Sequence, residues 1–213
     1  CLNVFWWAEF RKTKAGIKLH TMYDVKTSIP TFIHISNAIS HDVIALDMLV
    51  YEVGSFYILD RAYVDYKRLY RLHKHKAFFV TRAKSNMKFR RIYSNIADKS
   101  CGVKYDQIGK LTSYYPKRDY PDKLRRIKYY DEQTQRTFIF LTNNMDLEAK
   151  EIAYLYKKRW EVELFFKWMK QHLKIKSFWG TSLNAVKVQI YCAIIAYCLV
   201  AIVGNRLKVE RSI

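Results

Sequence analysis

Apolar and polar positions alternate with a period of two in residues 15–25 (AGIKLHTMYDV) and again in residues 29–36 (IPTFIHIS), with Asp24, Ser28 and Pro30 in or beside the turn between them. Such alternation turns one face of each run toward a core and predicts an antiparallel pair of β-strands. The period then changes. Val43, Ile44, Leu46, Leu49 and Val50 recur at helical spacing, with Ser40 placed as an N-cap and Gly54 as the stop. An apolar run at residues 55–60 (SFYILD) precedes a Tyr- and Leu-studded helical pattern at residues 64–75 and a second apolar run at residues 77–83 (AFFVTRA). Strand, helix, strand is a βαβ unit, so the fold class is mixed α/β.

Residues 84–144 have a different texture, with two of the three prolines, clusters such as YYPKRDYP, and β-like runs LRRIKYYD and TFIFLT around a polar EQTQ turn. They read as a β-rich insertion, which divides the chain into residues 1–83, 84–144 and 145–213. Residues 143–153 (NNMDLEAKEIA) then open a long helix, with Asn or Asp as its cap and Glu148 and Glu151 near the positive end of the helix dipole. Gly180 ends that element, and a last helix follows. Its apolar run, residues 190–203, is 14 residues long and bounded by Lys187, Gln189 and Arg206. A bilayer takes about 20 apolar residues, so the run reads as a core helix and no membrane is expected as a partner.

One helical stretch, residues 156–170 (YKKRWEVELFFKWMK), mixes polar and large apolar side chains. At about 100° per residue, Tyr156, Arg159, Glu163 and Lys170 fall within an arc of roughly 60° on one continuous helix. Leu164, Phe165, Phe166, Trp168 and Met169 cover most of the rest. A carboxylate at Glu163 on such a helix needs a cation, from Arg159, Lys167, Lys170 or a metal; an ion-paired helix face is the alternative. Asp60 ends an apolar strand, where open α/β sheets place their chemistry, although it could equally cap the element after it.

Composition narrows the partner. Lys plus Arg number 38 against 19 for Asp plus Glu, a formal net charge of +19, accompanied by 17 Tyr and 5 Trp. That excess favours a polyanion, nucleic acid first. The strips KFRRIY (88–93) and KLRRIK (123–128) could track DNA, or could be solvated strand faces. Trp6, Trp7, Trp160, Trp168 and Trp179 could include a residue that stacks on a base, most of them being core residues. Cys1, Cys101, Cys192 and Cys198 form no CxxC pair and suggest reduced, buried thiols of a cytosolic protein. His20, His34 and His41 lack zinc-ligand spacing. Two distant carboxylates in a basic α/β chain suggest phosphoryl transfer with Mg²⁺ or Mn²⁺, two metals clamping the attacking and leaving oxygens.

Tyr156, Arg159, Glu163 and Lys170 match Y-x2-R-x3-E-x6-K without deviation, and this resembles the signature of the insertion-sequence type 4 family of DDE transposases. The stretch LDRAYVDYKRLYRL resembles the family segment around the second catalytic Asp, with Asp60 in that role, and WWAEFRKTKAGIKLH resembles the segment just after the first. The resemblance covers essentially the whole chain. It implies an RNase H-like, retroviral-integrase-like core, with the β-rich insertion before the helix of the catalytic Glu. By the same resemblance Asp60 and Glu163 are metal-binding catalytic residues, while Tyr156, Arg159 and Lys170 hold DNA. The partners would be double-stranded transposon ends and target DNA, engaged by a homodimer in a synaptic complex, in the bacterial cytoplasm at the nucleoid.

The chain starts at Cys1 in mid-pattern, which suggests a piece of a longer protein whose first strand, with the first Asp, lies upstream. Asp24, Asp42 and Asp47 do not fit that role. The polypeptide alone would then carry two of three acids, leave strands without partners, and lack strand-transfer activity. Two rival readings are a nuclease of the same fold and a non-catalytic DNA-binding remnant.

Overall fold

The computed structural model describes residues 9–11, 14–15, 17–37, 41–172, 178–180 and 182–207. In chain order its elements are β1 (Glu9–Arg11), β2 (Lys14–Ala15), β3 (Ile17–Asp24), β4 (Ile29–Asn37), a 3-10 segment (Asp42–Met48), β5 (Phe56–Leu59), a short 3-10 turn (Arg61–Tyr63), α1 (Tyr66–Lys74), β6 (Phe78–Arg82), β7 (Phe89–Asn95), β8 (Val103–Leu111), α2 (Tyr114–Asp119), β9 (Leu124–Asp131), β10 (Arg136–Thr142), α3 (Ala149–Lys157), α4 (Trp160–His172) and α5 (Leu183–Leu207). They belong to two compact units, residues 1–45 with 160–213, and residues 46–159.

The second unit is built on one six-stranded sheet in the order β5-β6-β10-β9-β8-β7. The βαβ reading holds: β5 and β6 are parallel, Phe56 opposite Phe78 and Leu59 opposite Thr81, with α1 as the crossover. All other pairings are antiparallel, and residues 84–144 continue this sheet through the pairing of β10 with β6. On one face, Val80, Val103, Ile127 and Phe140 bury against Ile152, Ala153 and Tyr156 of α3. On the other, Phe79 and Leu141 are buried, and Tyr120 meets Phe79 edge-on while its hydroxyl lies 2.6 Å from Nδ1 of His73 on α1. Where the chain turns back into β8, the carbonyl of Gly102 (φ 88°) accepts from the N–H of Tyr130 on β9, and a Cβ there would collide with the Tyr130 carbonyl.

The first unit sets the hairpin β3–β4, the antiparallel pair that the alternation predicts, against α4 and α5. Ile17, Leu19, Ile33 and Ile35 pack on Phe165, Met169, Ile190 and Tyr197. The Tyr197 hydroxyl lies 2.8 Å from that of Tyr23 and donates to the Ser28 carbonyl, tying α5 to the hairpin turn.

Several expectations are corrected. Residues 42–48 form a 3-10 rather than an α-helix, since β-branched Val43 and Ile44 weaken α propensity; the expected cap Ser40 lies outside the described residues. Helix α3 begins at Ala149 with Glu148 as its N-cap, because Asn144 is engaged in an Asx turn, its Oδ1 accepting from the N–H groups of Asp146 and Leu147. The expected stop at Gly180 follows residues 173–177, which lie outside the described residues. Helix α5 runs for 25 residues, because residues 183–189 and 204–207 continue the helix beyond the apolar run on either side. It is long and apolar enough to cross a membrane, so length does not argue against one; its packing on the hairpin is what places it in a folded unit. Of the described tryptophans, Trp160 and Trp179 are exposed and Trp168 packs on Tyr197, while Trp6 and Trp7 lie outside the described residues. Cys192 is exposed, Cys101 and Cys198 are half-buried, and Cys1 is outside the described residues.

Candidate active site

Parallel strands β5 and β6 bring their carboxyl ends side by side. Asp60 follows the last residue of β5, and Arg82 is the last residue of β6, one position beyond the Leu59–Thr81 pair. The capping reading of Asp60 applies, and it occupies one oxygen of the carboxylate. One carboxylate oxygen, Oδ1, accepts from the Ala62 N–H at 3.2 Å and caps the short 3-10 turn. The other, Oδ2, faces two guanidinium groups, Nη1 of Arg159 at 3.4 Å and Nη2 of Arg82 at 3.9 Å.

Tyr156 lies between those cations. Its ring packs on Phe140, centroids 4.9 Å apart, and the guanidinium carbons of Arg82 and Arg159 each lie 5.9 Å from its centroid. Burial raises the phenol above its ordinary value, Asp60 pushes the same way, and the two arginines pull it down. The hydroxyl therefore stays protonated at neutral pH and can donate to an anion. Acid, two planar cations and a phenol within one small region can bind a phosphate and also present a hard oxygen ligand beside it.

The four residues of the Y-x2-R-x3-E-x6-K pattern do not share one continuous helix. The ladder tightens to i→i+3 bonds at Lys158 N–H to Leu155 and Arg159 N–H to Tyr156, so α3 ends before Arg159 and α4 starts at Trp160. The 60° arc assumed uniform α geometry and does not carry across that break. Tyr156 and Arg159 belong to the unit of residues 46–159 with Asp60; Glu163 and Lys170 belong to the other unit. There, Glu163, Lys167 and Lys170 line an open cleft of about 470 Å³ with Phe166 and Gln171, while Phe165 and Met169 anchor the opposite side of α4.

Arg82 escaped the reading of the sequence. The signal that could have found it was the βαβ unit itself: two apolar parallel strands ending in Asp and Arg place those residues together. Three aspartates of the early chain are engaged elsewhere. Asp24 caps its own turn through Lys26 N–H and Thr27, Asp42 pairs with Lys18 at 3.0 Å, and Asp47 is gripped by Arg68 and Arg71. His20 bonds Ser36 across the hairpin, and its ring stacks on His34. Among the described residues there is no cluster of three or more His, Cys, Asp or Glu side chains placed to hold a metal.

Comparison with known proteins adds a family. The model of the family described as "Transposase DDE domain" matches residues 6–199. A protein described as a transposase, y4zB of Sinorhizobium fredii, is 35% identical over 97% of this chain and 59% of its own length. A protein described as a transposase of the insertion sequence element IS5377 of Geobacillus stearothermophilus is 29% identical over 97% of this chain and 54% of its own length. A third, described as a transposase of the element IS4SA of Synechocystis, is 27% identical over 86% of this chain and 52% of its own length. The chain thus spans between half and three-fifths of the length of these relatives.

Proposed function

The chain belongs to the DDE-domain transposases, and from that premise we propose that it is the catalytic core of a DNA transposase of the insertion-sequence type 4 kind, cutting phosphodiesters at transposon ends and joining them to target DNA. The observation that carries this reading is Asp60 at the carboxyl end of β5, facing Arg159 and Arg82 across Tyr156. We assign Asp60 and Glu163 as the carboxylates that hold divalent metal, Mg²⁺ or Mn²⁺. The hold of the arginines on Asp60 favours this: at 3.4 and 3.9 Å both contacts are longer than the 2.7–2.9 Å or so of a charge-assisted hydrogen bond, so the carboxylate is attracted without being locked. Bound metal supplies Lewis-acid stabilisation of the attacking and leaving oxygens, in a two-metal arrangement.

The chain's own groups do the rest. Arg159 and Arg82 bind the phosphate whose ester bond reacts, Arg159 with a planar fork that suits two oxygens. Tyr156 donates its hydroxyl to the same backbone. Lys170 adds a point charge from the cleft that Glu163 lines. The fold is proposed to be RNase H-like, with a further strand bearing the third carboxylate along the edge of β5, which has no partner strand there among the described residues; Asp24, Asp42 and Asp47 are committed to other partners. On this reading the chain by itself holds two of three acids and performs no strand transfer. In the whole transposase it acts on double-stranded DNA as a homodimer in the bacterial cytoplasm.

The test places this chain within a full-length transposase and follows Mn²⁺-dependent nicking and joining of DNA that carries the element's ends. Asp60→Ala and Glu163→Ala are each expected to abolish both steps. Full activity in both variants would mean that Glu163 belongs to a charged face of α4 and that the chain is a DNA-binding module.

A further inference from the structure

The two basic strips at residues 88–93 and 123–128 come together in the fold. They lie on β7 and β9, on either side of β8, with Arg91 opposite Gly109, Gln107 opposite Arg126 and Tyr105 opposite Lys128. Directly opposed residues share a face, and strict alternation puts Phe89, Arg91, Tyr105, Arg126, Lys128 and Tyr130 together. Ile127 and Phe140, which bury against α3, point the other way, as does Arg82 through its pairing with Phe140. This face is therefore on the opposite side of the sheet from Asp60's partners.

Its cations are held by rings rather than by acids. The guanidinium carbon of Arg126 lies 4.5 Å from the Phe89 centroid and 5.2 Å from that of Tyr105, and its Nη2 donates to Gln107 at 2.6 Å. Lys128 sits 5.9 Å from the Tyr105 ring, and Lys104, at the β-bulge of β8, 5.2 Å from Tyr130. Gly109 makes room for the arrangement, since a Cβ there would strike the Phe89 ring. Strands β7 to β10 contain two acids, Asp106 and Asp131, and both lie on the α3 face, paired with Arg125 and Lys157. The KLRRIK strip is thus divided: Arg125 neutralises a buried acid, while Arg126 and Lys128 carry charge that no carboxylate of these strands meets.

We propose that this face of β7, β8 and β9 is a second DNA-binding surface, which grips the sugar–phosphate backbone of duplex DNA without reading sequence. Charge complementarity selects the partner: Arg91, Lys104, Arg126 and Lys128 stand on one sheet face with no acid among them. Pre-ordering by the rings lowers the entropy lost when these long side chains engage phosphates. The rings are covered by the cations, which disfavours base stacking and single strands. The surface requires neither metal nor Asp60, so it stands or falls independently of the catalytic proposal.

The experiment measures binding of the full chain to a random-sequence fluorescent duplex by anisotropy, in EDTA, across a salt titration. Each phosphate contact contributes about 0.9 to the slope of log K against log salt. Lys104→Gln with Lys128→Gln is expected to lower that slope by about two, shrinking the affinity change between about 50 and about 200 mM salt roughly 10-fold. Arg126→Gln is the second variant, expected to lower it by about one, and circular dichroism melts matching the parent establish that each variant folds. The charge-matched control, Lys67→Gln with Lys74→Gln on the exposed side of α1, should leave the slope unchanged. Equal losses in the control pair, or an unchanged slope in both test variants, would overturn the proposal. So would single strands that bind more tightly than duplex and lose that preference in the test variants.

Discussion

The Arg159 guanidinium stands 3.4 Å from Oδ2 of Asp60, although 99 positions separate the two residues. The pair joins the end of β5, an outer strand of the six-stranded sheet, to the end of α3 and is only about a third exposed at its acid. Removing the cation leaves Asp60 with the more distant Arg82. Arg159→Lys keeps the charge but loses the planar fork, so binding of transposon-end DNA should weaken about 10-fold or more, a charged hydrogen bond contributing about 1.5–3 kcal/mol. Filter binding on the full-length protein, with Arg159→Ala alongside, tests this; equal affinity in Lys, Ala and parent would remove Arg159 from the phosphate site.

Tyr156 separates packing from chemistry. Its ring is part of the core beside Phe140, whereas its hydroxyl feels the charges of Arg82, Asp60 and Arg159. Tyr156→Phe should hold stability within about 1 kcal/mol while weakening DNA engagement, and Tyr156→Ala should cost about 3–5 kcal/mol through the cavity it leaves. Urea melts of both, read beside DNA binding, decide the matter. A Phe variant that binds DNA like the parent would make Tyr156 a packing residue alone.

How much of this was legible depends on the range of the signal. The hairpin of residues 17–37 and the βαβ unit show in local periodicity, because each strand's burial pattern is written in its own residues. Arg82 was missed because its place is set by the register of two strands joined only through α1. The break at Lys158–Arg159 carries neither Pro nor Gly, the usual punctuation, so uniform helix geometry was assumed across it. Strand β8 was not seen, its alternation being interrupted by the bulge between Val103 and Tyr105. Asp60, Tyr156 and Arg159 were grouped by resemblance, since no periodicity relates an acid at residue 60 to a helix a hundred residues later.

Acid should loosen the second unit. Hydrogen bonds from Arg68 hold the Asp47 carboxyl below its ordinary value, with the charges of Arg68 and Arg71 adding to the effect. For Asp131 burial pushes upward, but hydrogen bonds from Lys157 and Thr134 outweigh it and the carboxyl again sits low. A pKa lower in the folded than in the unfolded state means stability that is full above the unfolded value, about 4, and is lost as pH falls through the folded one. The carboxylate share of the Tm loss should be absent from about pH 7 to about pH 5 and set in below, less steeply in Asp47→Asn, while His73, its pKa lowered by burial, adds a separate loss that begins below about pH 6.5 in parent and variant alike. Solvent screening keeps the Asp47 share small, as that carboxylate is 38% exposed. Parallel acid slopes in parent and variant would remove Asp47 from the account.

The ion pair of Asp106 and Arg125 is the opposite case, with side chains only 3% and 4% exposed. Nε and Nη2 of Arg125 donate to Oδ1 and Oδ2 at 2.9 and 2.7 Å, Nη1 donates to the Leu147 carbonyl, and Asn95 donates to Oδ2 from β7. The arginine thus ties β8 and β9 to the loop that leads into α3, the helix that carries Tyr156. Deleting one partner strands a buried charge, so Asp106→Leu or Arg125→Met alone should destabilise by about 3–5 kcal/mol. The double replacement, Asp106→Leu with Arg125→Met, removes both charges and should recover most of that loss, because desolvating the pair offsets much of its attraction. What it should not recover is the anchoring of the Leu147 carbonyl, so hydrogen exchange at the start of α3 should stay faster than in the parent. Additive losses in the double variant, measured by urea unfolding, would show that the two residues act separately and that the pair does not organise this end of the sheet.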